Sequence, residues 1–110
     1  MTYRSDYAAV EPARADVDAV PGAQLIEFGA PWCPHCMAAQ APLAQALSAH
    51  ATVTHLKIED GPGRRLGRSF RVKVWPTLIL IRDGAEVARI VRPVSAEEIA
   101  RLLASAASAP

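Results

Sequence analysis

The two cysteines of this chain, Cys33 and Cys36, are separated only by Pro34 and His35 and follow the apolar run at residues 24–28 and the breaker Gly29-Ala30-Pro31. A buried strand, a break and then a stretch of good helix formers put both thiols at a strand-to-helix turn. This spacing lets the two sulfurs close a small disulfide ring. At the start of a helix, unpaired amide protons and the positive end of the helix dipole favour thiolate over thiol, which selects Cys33 as the nucleophile. Cys36, one turn further in, is expected to be more buried and to resolve the mixed disulfide that Cys33 forms. Two cysteines are too few for a disulfide-stapled secreted scaffold.

The 110 residues suit a single domain spanning 1–110, and 51% hydrophobic with 21% charged residues supply a core. Lys and Arg total 12 against 11 Asp and Glu, a formal net charge of +1. That balance gives no ground for nucleic-acid or membrane-surface binding. No apolar run approaches the ~20 residues that span a bilayer. Arg4, Asp6, Glu11, Arg14, Asp16 and Asp18 interrupt the N-terminal stretch, which lacks the apolar centre of a secretory signal. A cytoplasmic monomer is the expectation.

Residues 7–10 are a strand candidate, and residues 12–20 a short helix with Pro12 in its first turn. The run at 24–28 should be a buried strand that carries a carboxylate, Glu27, in its middle. Residues 33–50 should form one long helix kinked by Pro42, with Met37, Ala41, Ala44 and Leu47 sharing a face. Residues 53–59 alternate, with Val53, His55 and Lys57 on one side of a strand and Thr54, Leu56 and Ile58 on the other. A short basic helix at 64–70 follows. Thr77–Arg82 and residues 86–91 form a hairpin about Asp83-Gly84. Ser95 to Glu98 is a capping box, Val94 and Ile99 form a staple, and Ile99, Leu102, Leu103 and Ala106 make a helical stripe. The order β-α-β-α-β-α-β-β-α calls for a three-layer α/β/α domain with a central mixed sheet.

Phe28-Gly-Ala-Pro-Trp32-Cys33-Pro34-His35-Cys36, followed by Val74-Trp75-Pro76-Thr77 and the Asp83-Gly84 hairpin, resembles the thioredoxin family from Val10 onward. The resemblance implies the thioredoxin fold, dithiol–disulfide exchange on protein disulfides and no bound cofactor. Electrons would come from NADPH through a thioredoxin reductase, or from glutathione. It also implies a cis peptide at Pro76 facing the cysteines, with the backbone at Trp75, Pro76 and Thr77 holding the substrate chain as an added strand and Arg92 beside the groove. Glu27 matches the family's buried acid, which would accept the Cys36 proton, because burial disfavours an ionised carboxylate. His55 takes the place of the acid's partner, with Lys57 as the alternative. Trp32, Pro34 and His35 would tune the Cys33 thiolate, and the Pro-His pair is similar to that of the bacterial periplasmic oxidase DsbA. Gly29 stands where thioredoxins often have Trp.

The expected function is a thiol-disulfide oxidoreductase acting as a reductant through Cys33 and Cys36. The alternatives are an oxidase or isomerase, or a non-catalytic module. That module would hold metal through Cys33, His35 and Cys36, or a partner through Trp75 and the cluster Arg64, Arg65, Arg68 and Arg71. The blander options are inert buried thiols, a Glu27 that reaches water, an ordinary His55, a Trp75 that only packs, a His50 that only caps a helix end, and a solvated arginine face.

Overall fold

β-branched and leucine-rich runs without polar alternation are built for burial on both faces, and two such runs form the middle of the sheet. The computed structural model describes residues 2–106, which fold in the order α1 (Arg14–Asp18), β1 (Ala23–Gly29), α2 (Pro34–Ala38), α3 (Gln40–Ser48), β2 (Thr54–Glu59), α4 (Arg65–Ser69), β3 (Thr77–Arg82), β4 (Ala85–Val91) and α5 (Ala96–Ala104). The strand order is β2-β1-β3-β4. β1 pairs parallel with β2 and antiparallel with β3, and β3 pairs antiparallel with β4. This is the mixed sheet and three-layer α/β/α thioredoxin fold expected.

The period-2 alternation of the central strands sorts the core into two layers. Leu25, Leu78 and Leu80 face α3 and α5, where Leu43, Leu47, Ile99 and Leu103 meet them. Ile26, Phe28, Ile79 and Ile81 face the opposite side, where Val17 of α1 and Leu66 of α4 close over them with Phe70. Glu27 shares the parity of Leu25 and sits level with Lys57 in β2, so a fully buried carboxylate lands under the α2–α3 side.

Several elements depart from expectation. Residues 7–10 form no strand; the Ala8 N–H donates to the Lys57 carbonyl of β2 (2.8 Å), and the chain then bends at residues 9 and 10. Pro12 precedes α1, whose N-cap is Ala13, so the helix starts two residues after the proline. The helix expected over 33–50 is two helices that meet at Ala39, one turn before Pro42. The proline ring crowds the Ala38 carbonyl and gives it no N–H, which moves the break upstream. The face moves with it: Met37 is 57% exposed and Ala41 is exposed, while Cys36, Ala39, Leu43, Ala46 and Leu47 point inward. Ser95 caps α5 by accepting from the Glu98 N–H (3.2 Å), but Glu98 returns its bond to the Val94 N–H (2.9 Å). Val94 is 88% exposed, so the staple is not made.

Candidate active site

Cys33 ends the loop after β1 and is the N-cap of α2, its sulfur accepting from the Cys36 N–H at 3.2 Å. Pro34 occupies the first helical turn, where its missing N–H costs nothing. A donor aimed at a sulfur stabilises negative charge there. Both thiols are free, and both are buried with Ala30, Trp75 packing on them. Burial pushes the Cys36 thiol up to about 12; the Cys33 sulfur and the negative charges of Cys33 and Glu27 add to this, against a backbone bond from Ala30. His35 is exposed on the first turn of α2, and its ring makes no hydrogen bond among the described residues. Trp32 is 69% exposed and meets Trp75 edge to face at 5.5 Å.

Behind the thiols the carboxylate of Glu27 is fully buried and bonded at both oxygens. His55 Nε2 lies 2.9 Å from Oε1, and Gln40 Nε2 donates to Oε2 at 2.8 Å. The Arg4 backbone N–H donates to His55 Nδ1 (2.8 Å), so that nitrogen is an acceptor and the hydrogen-bond network assigns the Nε2–H tautomer, which donates to Glu27. Gln40 also donates to the Cys36 carbonyl at 2.7 Å, linking the acid to the thiol-bearing turn. Its Oε1 accepts from Lys57 Nζ (2.9 Å) and from the Tyr3 hydroxyl (2.6 Å). Burial, with the Glu27 charge, holds the Tyr3 phenol above its ordinary value, so it stays a donor. Lys57 Nζ reaches the Ser5 carbonyl as well (3.0 Å). The structure thus brings both expected acid partners to the site, His55 directly and Lys57 through Gln40. Sequence reasoning missed Gln40, Tyr3 and the Arg4 backbone; only the position of Gln40, one turn past Cys36, hinted at the first of them.

The third side of the site is the turn before β3. Trp75–Pro76 is cis, as the resemblance implied. Trp75 Nε1 donates to Asp60 Oδ2 (2.9 Å), which fixes the indole beside the thiols. Arg92, in left-handed backbone at φ 50°, donates from Nε to the Trp75 carbonyl at 2.8 Å, and its N–H donates to the Pro76 carbonyl at 3.0 Å. Thr77 is buried, its hydroxyl donating to the Val74 carbonyl. Among the described residues, no group of three or more His, Cys, Asp or Glu side chains is placed to hold a metal ion, and no helix is long and apolar enough to cross a membrane.

A reactive thiol pair at a strand-to-helix turn, a cis-proline turn opposite and a buried acid behind define a dithiol–disulfide oxidoreductase of the thioredoxin fold. The Thioredoxin family model matches residues 10–105, and the chain belongs to the thioredoxin family. Over 85 residues the chain is 35% identical to thioredoxin of Chlamydia trachomatis serovar D, covering 74% of this chain and 80% of that protein. A 66-residue stretch is 42% identical to protein disulfide-isomerase A2 of Pongo abelii, covering 56% of this chain and only 13% of that much longer protein. Among solved structures, thioredoxin 2 from Pseudomonas aeruginosa PAO1 in its reduced form aligns at 50% identity with a TM-score of 0.84, over 97% of this chain and 100% of that one.

Proposed function

We propose that the chain reduces protein disulfides. Cys33 attacks a client disulfide, forming a mixed disulfide and releasing one client thiolate. Cys36 then attacks Cys33 Sγ, the bond to the client breaks with its electron pair leaving on the client sulfur, and the chain retains a Cys33–Cys36 disulfide. Two electrons pass to the client, and they return from NADPH through a thioredoxin reductase, or from glutathione. Glu27 takes the Cys36 proton during the second attack. The observation that carries this is the free thiol pair with a buried, doubly hydrogen-bonded carboxylate joined to the Cys36 turn through Gln40. The client lies along the Trp75-Pro76-Thr77 turn as an extended strand, Trp32 and Trp75 flank it, and Arg92 selects among clients. The chain acts as a monomer in the cytoplasm and contributes to redox homeostasis there.

The deciding experiment is the reduction potential of the Cys33/Cys36 couple, equilibrated against glutathione and read by mass spectrometry, beside turnover of a protein disulfide. A potential near about −270 mV with turnover is the expected result. A potential near about −120 mV would reverse the direction and make the chain an oxidant, and an absence of any intramolecular disulfide would leave an adaptor or metal-holding module.

A further inference from the structure

Gly29 is defined by the space it leaves. A Cβ at this position would lie 2.6 Å from Cys36 Sγ and 3.2 Å from the Tyr7 hydroxyl, so a larger residue fits only if one of them moves. The sulfur and the phenol oxygen both border the volume a side chain would fill, so they lie no further apart than those two distances together. Both also open onto a cavity of about 260 Å³ that Asp6, Ala30, Gln40 and Lys57 help to line. Among the described residues the Tyr7 hydroxyl has no hydrogen-bond partner, although its ring is held in place. The Lys57 ammonium stands 4.7 Å over the ring, and the backbone on either side is tied to Lys57 through the Ser5 carbonyl and the Ala8 N–H. An anchored aromatic ring with an uncommitted hydroxyl beside a buried sulfur calls for a chemical purpose.

We propose that Tyr7 is a positioning residue for the resolving thiol: its hydroxyl donates a hydrogen bond to Cys36 Sγ as that sulfur becomes a thiolate and attacks Cys33. Hydrogen bonds to a charged acceptor are the strong ones, and a thiolate formed in a buried site has few other donors. Burial, with the negative charge of Cys36 and Glu27, holds the Tyr7 phenol well above its ordinary value. It therefore keeps its proton throughout and takes none from the thiol. As the Cys33–Cys36 bond forms, the Cys33–client bond breaks, the electron pair departs on the client sulfur, and the charge leaves Cys36. Tyr7 stabilises that charge only while it exists. The ionisable groups around this sulfur are Cys33 at the N-cap of α2, Glu27 on β1 with His55 behind it, Lys57 on β2, and Asp6 and Tyr7 on the N-terminal segment. The inference rests on Cys36 as the resolving thiol and is independent of the direction of net electron flow.

Single-turnover resolution of a preformed Cys33–client mixed disulfide, followed against pH, tests it. Tyr7→Phe removes the hydroxyl and keeps the ring. It should slow resolution by about tenfold at neutral pH and move the pH midpoint upward, as the loss of one charge-assisted hydrogen bond requires. Attack by Cys33, measured with Cys36→Ala in both backgrounds, should be unchanged. Fluorotyrosine at position 7, a more acidic phenol and better donor, should move the midpoint the other way and carries the test should Tyr7→Phe fold poorly. Identical resolution profiles for wild type, Tyr7→Phe and the fluorotyrosine protein would overturn the role of Tyr7 while leaving the dithiol intact. A wild-type chain that never closes Cys33 to Cys36 would overturn the resolving role itself.

Discussion

The two sulfurs are both buried but chemically unequal: Cys33 Sγ accepts from the Cys36 N–H at the N-cap of α2, whereas burial outweighs the backbone bond at Cys36 and holds its proton on. Burial pushes the thiol of reduced Cys36 up to about 12, well above the ordinary cysteine range. Between roughly pH 9 and 12 the unfolded chain has lost this proton and the folded chain has not, so the unfolded state binds fewer protons and stability falls as pH rises. Urea midpoints of reduced wild type should therefore drop more steeply across that window than those of Cys36→Ala. Parallel curves would mean that Cys36 does not experience this burial. Glu27 offers a second test, since Gln in its place would point an amide N–H at a donor, either His55 or Gln40. Glu27→Gln should cost about 1–3 kcal/mol, read as a lower urea midpoint, and should slow resolution more than attack. At Arg92 the guanidinium donates to the Trp75 carbonyl and so competes for it with the client backbone proposed to lie along this turn. Arg92→Gln should lower KM for uncharged disulfide peptides and raise it for acidic ones, and an equal change for both would remove Arg92 from client selection.

At the level of elements, the break at Ala39 decides which side chains of α2 and α3 carry the core. Leu43→Ala should cost about 2–5 kcal/mol of unfolding free energy, whereas Met37→Ala should stay within about 0.5 kcal/mol, both read from chemical denaturation. Comparable losses would restore the one-helix phasing that the sequence suggests. The central strands, the Asp83-Gly84 hairpin and the thiol turn were legible because each is written in adjacent residues: apolar runs, a dipeptide with positive φ at both positions, a CxxC motif. Glu27 was legible as a carboxylate inside an apolar run and by its match to the family's buried acid, and His55 through the alternation of its strand. The phasing of α3 was not, because a single proline acts a full turn upstream and resets the helical period. Residues 7–10 misled for a related reason: their short apolar pattern fits a strand, but among the described residues the sheet offers this segment one backbone hydrogen bond, at Ala8. Gln40 and Tyr7 were hard to read because, the Cys36 carbonyl aside, the partners of Gln40 lie 13 or more positions away, and Tyr7 borders a space rather than a bonded residue.

Across the whole molecule, residues 3–8 work as a strap over the buried acid. Tyr3 bonds Gln40, the Arg4 N–H fixes the His55 tautomer, and the Ser5 carbonyl receives Lys57. Deleting residues 2–5 should leave the sheet intact by circular dichroism but lower Tm by several degrees, because each net hydrogen bond is worth about 0.5–1.5 kcal/mol and one kcal/mol shifts a domain of this size by roughly 4–8 °C. An unchanged Tm would mean that the strap adds nothing to stability. The same strap has a bearing on solubility. An open four-stranded sheet has two raw edges, and an unpaired edge invites other chains to add strands and aggregate. β2 lies at one edge, and the Ala8 N–H engages its Lys57 carbonyl. β4 lies at the other, and there the paired charges of Arg89 and Glu86 and the register shift beside Leu80 and Ile81 make a poor template. A protein proposed to take up extended client backbone at one turn must refuse it along its flanks, and both borders of this sheet are built against such growth.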